Sequence, residues 1–313
     1  MSNLPKRIHI VEEGPREGFQ IESAGIPTAR KLELIDALSE TGLPVIQVTS
    51  FVNPKAVPGM ADADAVIKGL KPREGVEYTA LWLNEKGFER ALSKDKLTLR
   101  GQITLSASEA FLTRNQRRTH SEHAAEQRRM TASYLAAGIP VETAAVMASF
   151  GCNFQGDIPH QVVLGRVDEI LSIAAEAGTS IGRLSLLDTM AWATPASVEA
   201  LVGMLRDRHP SLDLCLHLHD TRGLAMANAY AGLRLGIAHF DAAVGGLGGC
   251  PFAGHAGAAG NICTEDFVLM AEELGVATGV DLDSLIECAR LAEDIVGHAL
   301  PGRAMRGGPL RQL

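Results

Sequence analysis

The chain has 313 residues, 46% of them hydrophobic, and a formal net charge of −8 at pH 7, enough apolar material for one large core or two ordinary ones. The negative balance argues against a nucleic-acid groove or an anionic membrane surface and leaves small molecules as the natural partners. No apolar run reaches the ~18 residues that a membrane span needs, and Met1-Ser2-Asn3-Leu4-Pro5-Lys6-Arg7 lacks the apolar core of a signal peptide, so a cytoplasmic protein is expected. The cysteines Cys152, Cys215, Cys250, Cys263 and Cys288 form no CxxC pair and read as reduced thiols.

Short β-branched apolar runs alternate with longer segments of helical period, the pattern of βα units on a parallel sheet. Strands are predicted over residues 7–11, 45–51, 77–83, 102–106, 141–149, 183–188, 212–219 and 239–244. Between them, residues 29–39 put Leu32, Leu34, Ile35 and Leu38 mostly on one side of a helix, and residues 197–208 form another, opened by Thr194-Pro195. Eight such strands predict an α/β fold of the (β/α)8 TIM-barrel class, and helices over residues 264–274 and 283–297 add a C-terminal helical extension. The alternative is an open doubly wound sheet. Its GxGxxG turn is missing after the first strand, where Glu13-Gly14-Pro15-Arg16-Glu17-Gly18 stands instead, and no nicotinamide, flavin or PLP is expected. One catalytic domain over residues 1–313 is predicted, with a barrel core to about 245, a glycine-rich loop over 246–262 and helices over 263–313.

In a barrel of this class the active site lies at the C-terminal ends of the strands, and polar residues gather there. Strand seven carries Leu216-His217-Leu218-His219-Asp220. Residues two apart share a face of a strand, so His217 and His219 read as half of a metal site that awaits oxygen ligands, or singly as hydrogen-bonded core histidines. Arg16 and Glu17 read as chemistry or as a turn pair, Asp188 as a site residue or a helix cap, and Gln47 as a site residue or a polar strand end. Cys152 reads as a loop or core thiol. Residues 245–261 contain seven glycines, a composition suited to a lid over the barrel mouth, or to a flexible loop in which Cys250 is incidental.

Several segments, in order, resemble the 3-hydroxy-3-methylglutaryl-CoA lyase family of Claisen-type barrel metallolyases. Val11-Glu12-Glu13-Gly14-Pro15-Arg16-Glu17-Gly18-Phe19-Gln20 is similar to that family's VEVGPRDGLQ, and Thr49-Ser50-Phe51-Val52-Asn53-Pro54-Lys55-Ala56-Val57-Pro58 to TSFVSPKWVP. Ser185-Leu186-Leu187-Asp188-Thr189 resembles SLGDT, and His217-Leu218-His219-Asp220-Thr221 resembles HxHDT. Gly246-Leu247-Gly248-Gly249-Cys250-Pro251-Phe252-Ala253 is close to GLGGCPYA, and Gly260-Asn261 with Thr264-Glu265-Asp266 to the GN..TED that follows it.

The resemblance implies a divalent ion, Mg²⁺ or Mn²⁺, on Glu17, His217, His219 and Asn261, a mixed O/N set that suits those ions better than structural zinc. It implies retro-Claisen cleavage of an acyl-CoA like hydroxymethylglutaryl-CoA to acetyl-CoA and a keto acid such as acetoacetate, the chemistry of leucine degradation. Arg16 would stabilise the enolate, His217 would move the proton, Cys250 would reprotonate the enol and Asp188 would orient the network. Gln20, Gln47, Ser50, Thr189 and His255 are expected at the substrate. A homo-oligomer, dimer or higher, without membrane or nucleic-acid partners is expected.

Three departures stand out. Glu17 replaces Asp, Gln47 replaces an acidic residue on strand two, and the loop is two residues longer than the usual spacing between Cys250 and Asn261 and adds His255. These differences keep two alternatives open: a condensing synthase or aldolase on the same scaffold, whose added regulatory domain this length does not accommodate, and a non-catalytic paralogue that binds a ligand.

Overall fold

The computed structural model describes residues 4–22, 25–249 and 260–310. From the N-terminus, β1 (His9–Glu12) runs into one π-helical turn, Gly14–Gly18, and the short α1 (Phe19–Ile21), followed by α2 (Thr28–Leu38), β2 (Val45–Ser50), α3 (Ala63–Gly69), β3 (Glu77–Leu81) and α4 (Glu85–Leu92). Then come β4 (Gly101–Ser106), α5 (Glu109–Gln116), α6 (His120–Ala136), β5 (Val141–Met147), α7 (His160–Glu176), β6 (Arg183–Asp188), α8 (Pro195–Arg208), β7 (Asp213–Leu218) and α9 (Ala225–Arg234). The chain closes with β8 (His239–Ala242), α10 (Thr264–Glu273), α11 (Leu282–Val296) and α12 (Ala304–Gly307). This succession is an α/β fold of the (β/α)8, TIM-barrel class with C-terminal helices, as the sequence predicts.

The chain forms two compact units. One is built mainly from Arg100–His239, the other from Lys6–Leu99, Phe240–Gly249 and residues 260–310. In the first, the strand order is β7-β6-β5-β4, with parallel pairing that sets Ile103 opposite Ala144, Ala144 opposite Leu184, and Leu184 opposite Leu214. Its core holds Leu105, Val146, Leu186 and Leu216 from the strands with Val167, Ile170, Leu201 and Leu205 from the helices, all buried. In the second, the order is β3-β2-β1-β8, with Val11 opposite Val45 and Val45 opposite Glu77. Ile10, Ile46, Val48, Tyr78, Phe240 and Phe267 are buried there, and the Phe240 and Phe267 rings lie 4.6 Å apart.

Helix starts follow local chemistry. Thr119 and Glu122 form a reciprocal capping box at α6, Thr194 and Ser197 do the same at α8 ahead of Pro195, and Ser108 and Asp281 cap α5 and α11. Strand ends differ from expectation by one or two residues in every strand but β6, two of them for visible reasons. β5 stops at Met147 rather than 149 because Ala148 turns to φ 55°. β1 begins at His9 because Arg7 pairs in an isolated bridge with Ala277 instead.

Candidate active site

In the unit that holds β1, the π-helical turn after that strand raises Arg16 and Glu17 from one backbone loop closed by Glu17 N–H donating to the Glu13 carbonyl at 2.7 Å. The sequence places these residues in a loop; the extra residue in a π-turn has no pattern of its own to announce it. Arg16 is buried, and each of its three nitrogens donates to a different side chain: Nε to Gln47 Oε1, Nη1 to Glu17 Oε2 at 2.7 Å, and Nη2 to Glu13 Oε2. Burial alone would lower its pKa, but the carboxylates of Glu13 and Glu17 and, less strongly, that of Asp241 raise it instead. It is a fixed cation.

Asn261 joins this group from the far end of the sequence. Its Nδ2 donates to Glu17 Oε1 at 3.3 Å and to the Leu247 carbonyl at 3.2 Å, while its buried Oδ1 has no hydrogen-bond partner. An unpaired buried amide oxygen costs stability unless a hydrogen-bond donor or a cation meets it, and an amide carbonyl is a hard ligand of the kind Mg²⁺ and Mn²⁺ take. Gln20 Oε1 and Ser50 Oγ are also buried without a partner. Gly260 and Asn261 are held by a short ladder, with Gly260 N–H on the Gly246 carbonyl and Asn261 N–H on the Leu247 carbonyl, both at 3.2 Å.

In the other unit, His217 and His219 are buried at the end of β7, as the two-residue spacing predicts, with Nε2 to Nε2 at 3.2 Å and ring planes at 76°. His219 Nδ1 lies 2.9 Å from the Thr189 carbonyl oxygen. A carbonyl accepts only, so Nδ1 carries the proton and Nε2 is the basic nitrogen, the tautomer a metal ligand needs. Asp188 Oδ1 accepts from the amides of Trp192 at 2.6 Å and Ala193 at 3.1 Å, which makes it the cap of a turn rather than of α8 itself. Burial pushes its carboxyl up to about 6 against the pull of His219, those amides and His217, and its Oδ2 is buried without a hydrogen bond. Thr189 Oγ1 accepts from Ala148 N–H at 2.9 Å. Each unit therefore carries buried nitrogen or oxygen donors of the kind that hold a divalent ion.

Cys152 is a core thiol, 3.1 Å from Ser108 Oγ. Cys250 and His255 lie outside the described residues. Two participants escape the sequence reading. Glu13 is one, although it stands where the resembled motif has Val. Arg222 is the other: its Nη1 donates to the carbonyls of Met190 at 2.7 Å and Ala191 at 3.0 Å, bracing the turn that follows Asp188 and Thr189. The glutamate in place of valine was a legible signal, and the arginine was not.

Comparison with known proteins gives the family of the chain. The family model described as HMGL-like matches residues 7–292. Hydroxymethylglutaryl-CoA lyase of Bacillus subtilis is 39% identical over 302 residues, 96% of this chain and 97% of that one. The (R)-citramalyl-CoA lyase of Chloroflexus aurantiacus is 36% identical over 313 residues, 97% and 95% of the two chains. A solved structure of HMG-CoA lyase from Acinetobacter baumannii, in complex with coenzyme A and 3-methylmalate, superposes with a TM-score of 0.86 at 35% identity and covers 98% of this chain and 97% of that one. With the fold, these likenesses make the chain a carbon–carbon lyase of the (β/α)8 class. The chain belongs to the HMGL-like family, the family its motifs resemble.

Proposed function

We propose that this lyase cleaves an acyl-CoA thioester whose acyl part is a branched 3-hydroxy acid of the hydroxymethylglutaryl type, releasing acetyl-CoA and a keto acid such as acetoacetate, and that it uses Mg²⁺ or Mn²⁺. Family membership supports the reading, and the solved relative that holds coenzyme A and 3-methylmalate supports a thioester with a hydroxy-acid portion. The observation that carries it is the tautomer of His219, fixed by the Thr189 carbonyl with Nε2 facing the His217 nitrogen.

Glu17, His217, His219 and Asn261 would hold the ion. Bound there, the ion supplies Lewis acidity that lowers the pKa of the substrate hydroxyl. His217 takes the hydroxyl proton at a ring nitrogen; the C–O bond becomes a carbonyl as the C–C bond breaks, and the electron pair moves into the thioester enolate. Arg16 donates to the enolate oxygen, having given three of its five N–H groups to Gln47, Glu17 and Glu13. Asp188 holds negative charge beside the histidines, and Cys250 returns a proton to carbon. Gln20, Ser50, Thr189 and His255 contact the substrate, and Gln47 acts on it through Arg16, whose Nε it accepts from. A citramalyl-CoA-type substrate is a second reading, which the Chloroflexus relative favours.

The test is acetyl-CoA release from hydroxymethylglutaryl-CoA and from citramalyl-CoA with added Mn²⁺ or Mg²⁺. His219→Ala should lower turnover by ~100-fold or more. Release from neither thioester above the His219→Ala background overturns the proposal.

A further inference from the structure

The three acceptors around Arg16 differ in charge, and the difference has a pattern. Gln47 on β2 is neutral, while Glu13 at the end of β1 and Glu17 in the π-helical turn are carboxylates, and all three bind the same buried guanidinium. Two of the three hydrogen-bond acceptors are therefore carboxylates, and Asp241, which also favours the charged guanidinium without a hydrogen bond to it, adds to the negative side. A further carboxylate at position 47 would add one more negative charge, in surroundings where uncompensated charge is strongly disfavoured. With a neutral side chain at position 13 and Gln at 47, Arg16 would lose one of its two hydrogen-bonded counter-charges. The residue pair that this chain carries, Glu13 with Gln47, keeps the count at two, and so does the resembled pattern of Val at 13 with an acid at 47.

We infer that Glu13 is a positioning residue for Arg16 that replaces the carboxylate absent at Gln47, so that the two positions are interchangeable in charge but not independent. Glu13 meets Nη2 of the guanidinium and Gln47 meets Nε, and the Gln47 amide presents N–H donors where an acid would present only acceptors. The activity side of this inference rests on the proposed role of Arg16 at the enolate; the charge-pairing side does not.

Four proteins test it: the unaltered chain, Glu13→Gln, Gln47→Glu and the double variant. For each, kcat and KM are measured with Mn²⁺ and the thioester, and the melting temperature is measured with the metal chelated. Each single variant should lose ~10-fold or more in kcat with KM changed by less than ~3-fold, and should melt below the unaltered protein. The double variant should return to within ~3-fold of the original kcat, whereas independent positions would give a loss of ~100-fold. Its melting temperature should recover as well. Loss in the double variant that equals the product of the two single losses overturns the inference, whatever the melting temperatures do. If the unaltered protein turns over no thioester, the proposed function fails by itself, and the melting cycle then decides this inference: recovery in the double variant upholds it, and additive loss overturns it.

Discussion

Glu12 shows how much one buried carboxyl can govern without touching chemistry. It has no solvent exposure, and it accepts from Gly14 N–H at 2.7 Å, Val244 N–H at 2.9 Å and Thr264 Oγ1 at 2.7 Å. Burial pushes its pKa from 4.5 up to about 7, with the three donors pulling back only part of the way. Between those values the folded protein keeps a proton that the unfolded chain has released, so stability falls as pH rises from 4.5 toward about 7 and levels off above it. Melting followed from pH 5 to 8 should show that fall, and Glu12→Gln should remove up to about 3 kcal/mol of it. Glu265, also raised to about 7 by burial, leaves a remainder in the variant. A variant with the full pH dependence of the parent would refute this account. The residues that sequence makes legible are those whose spacing forces their neighbours: His217 and His219 meet because a strand has a period of two. The Arg16 partners were legible only in part, because which acceptor each guanidinium nitrogen finds depends on side-chain direction, which no periodicity encodes.

Among the elements, α10 ties three separate segments together through its first turn. Thr264 reaches Glu12 at the end of β1; Glu265 Oε2 accepts from Gly245 N–H at 2.9 Å after β8; and Asp266 accepts from Arg303 and Ala304 N–H at 2.6–3.0 Å, capping α12. The Thr-Glu-Asp run that carries part of the family resemblance is thus an anchor for backbone. Asn261, just ahead of it, depends on a close approach: a Cβ on Gly260 would stand 1.9 Å from the Gly248 carbonyl oxygen, a main-chain atom that cannot swing aside. Gly260→Ala should therefore destabilise the protein by more than ~2 kcal/mol in denaturant titration, with metal affinity lost alongside. An Ala variant that unfolds at the parent's midpoint would show that the ladder is slack. All eight strands and the helices over 29–39, 197–208, 264–274 and 283–297 were readable from alternation, helical period and caps. The π-helical turn and the positive φ of Ala148 were not, since each is imposed by contacts distant in sequence.

For the whole molecule, a resident ion should appear as stability. A ligand that binds only the folded state adds about 2.7 kcal/mol at a hundred times its Kd. Mn²⁺ should raise the melting temperature of the parent protein, a chelator should reverse the rise, and His219→Ala should abolish it; an equal rise in that variant would place the ion elsewhere. The connectivity of the two units also sets an order of events during synthesis. Residues 100–239 leave the ribosome as one uninterrupted run that contains every strand of β4 to β7 and the pairing between them. The other unit is split, and Glu12 waits 232 residues for the Val244 amide and 252 for the Thr264 hydroxyl. The unit whose synthesis begins first is therefore the one that finishes last, and a nascent chain stopped before residue 244 holds Glu12 without the Val244 amide and the Thr264 hydroxyl that it accepts from.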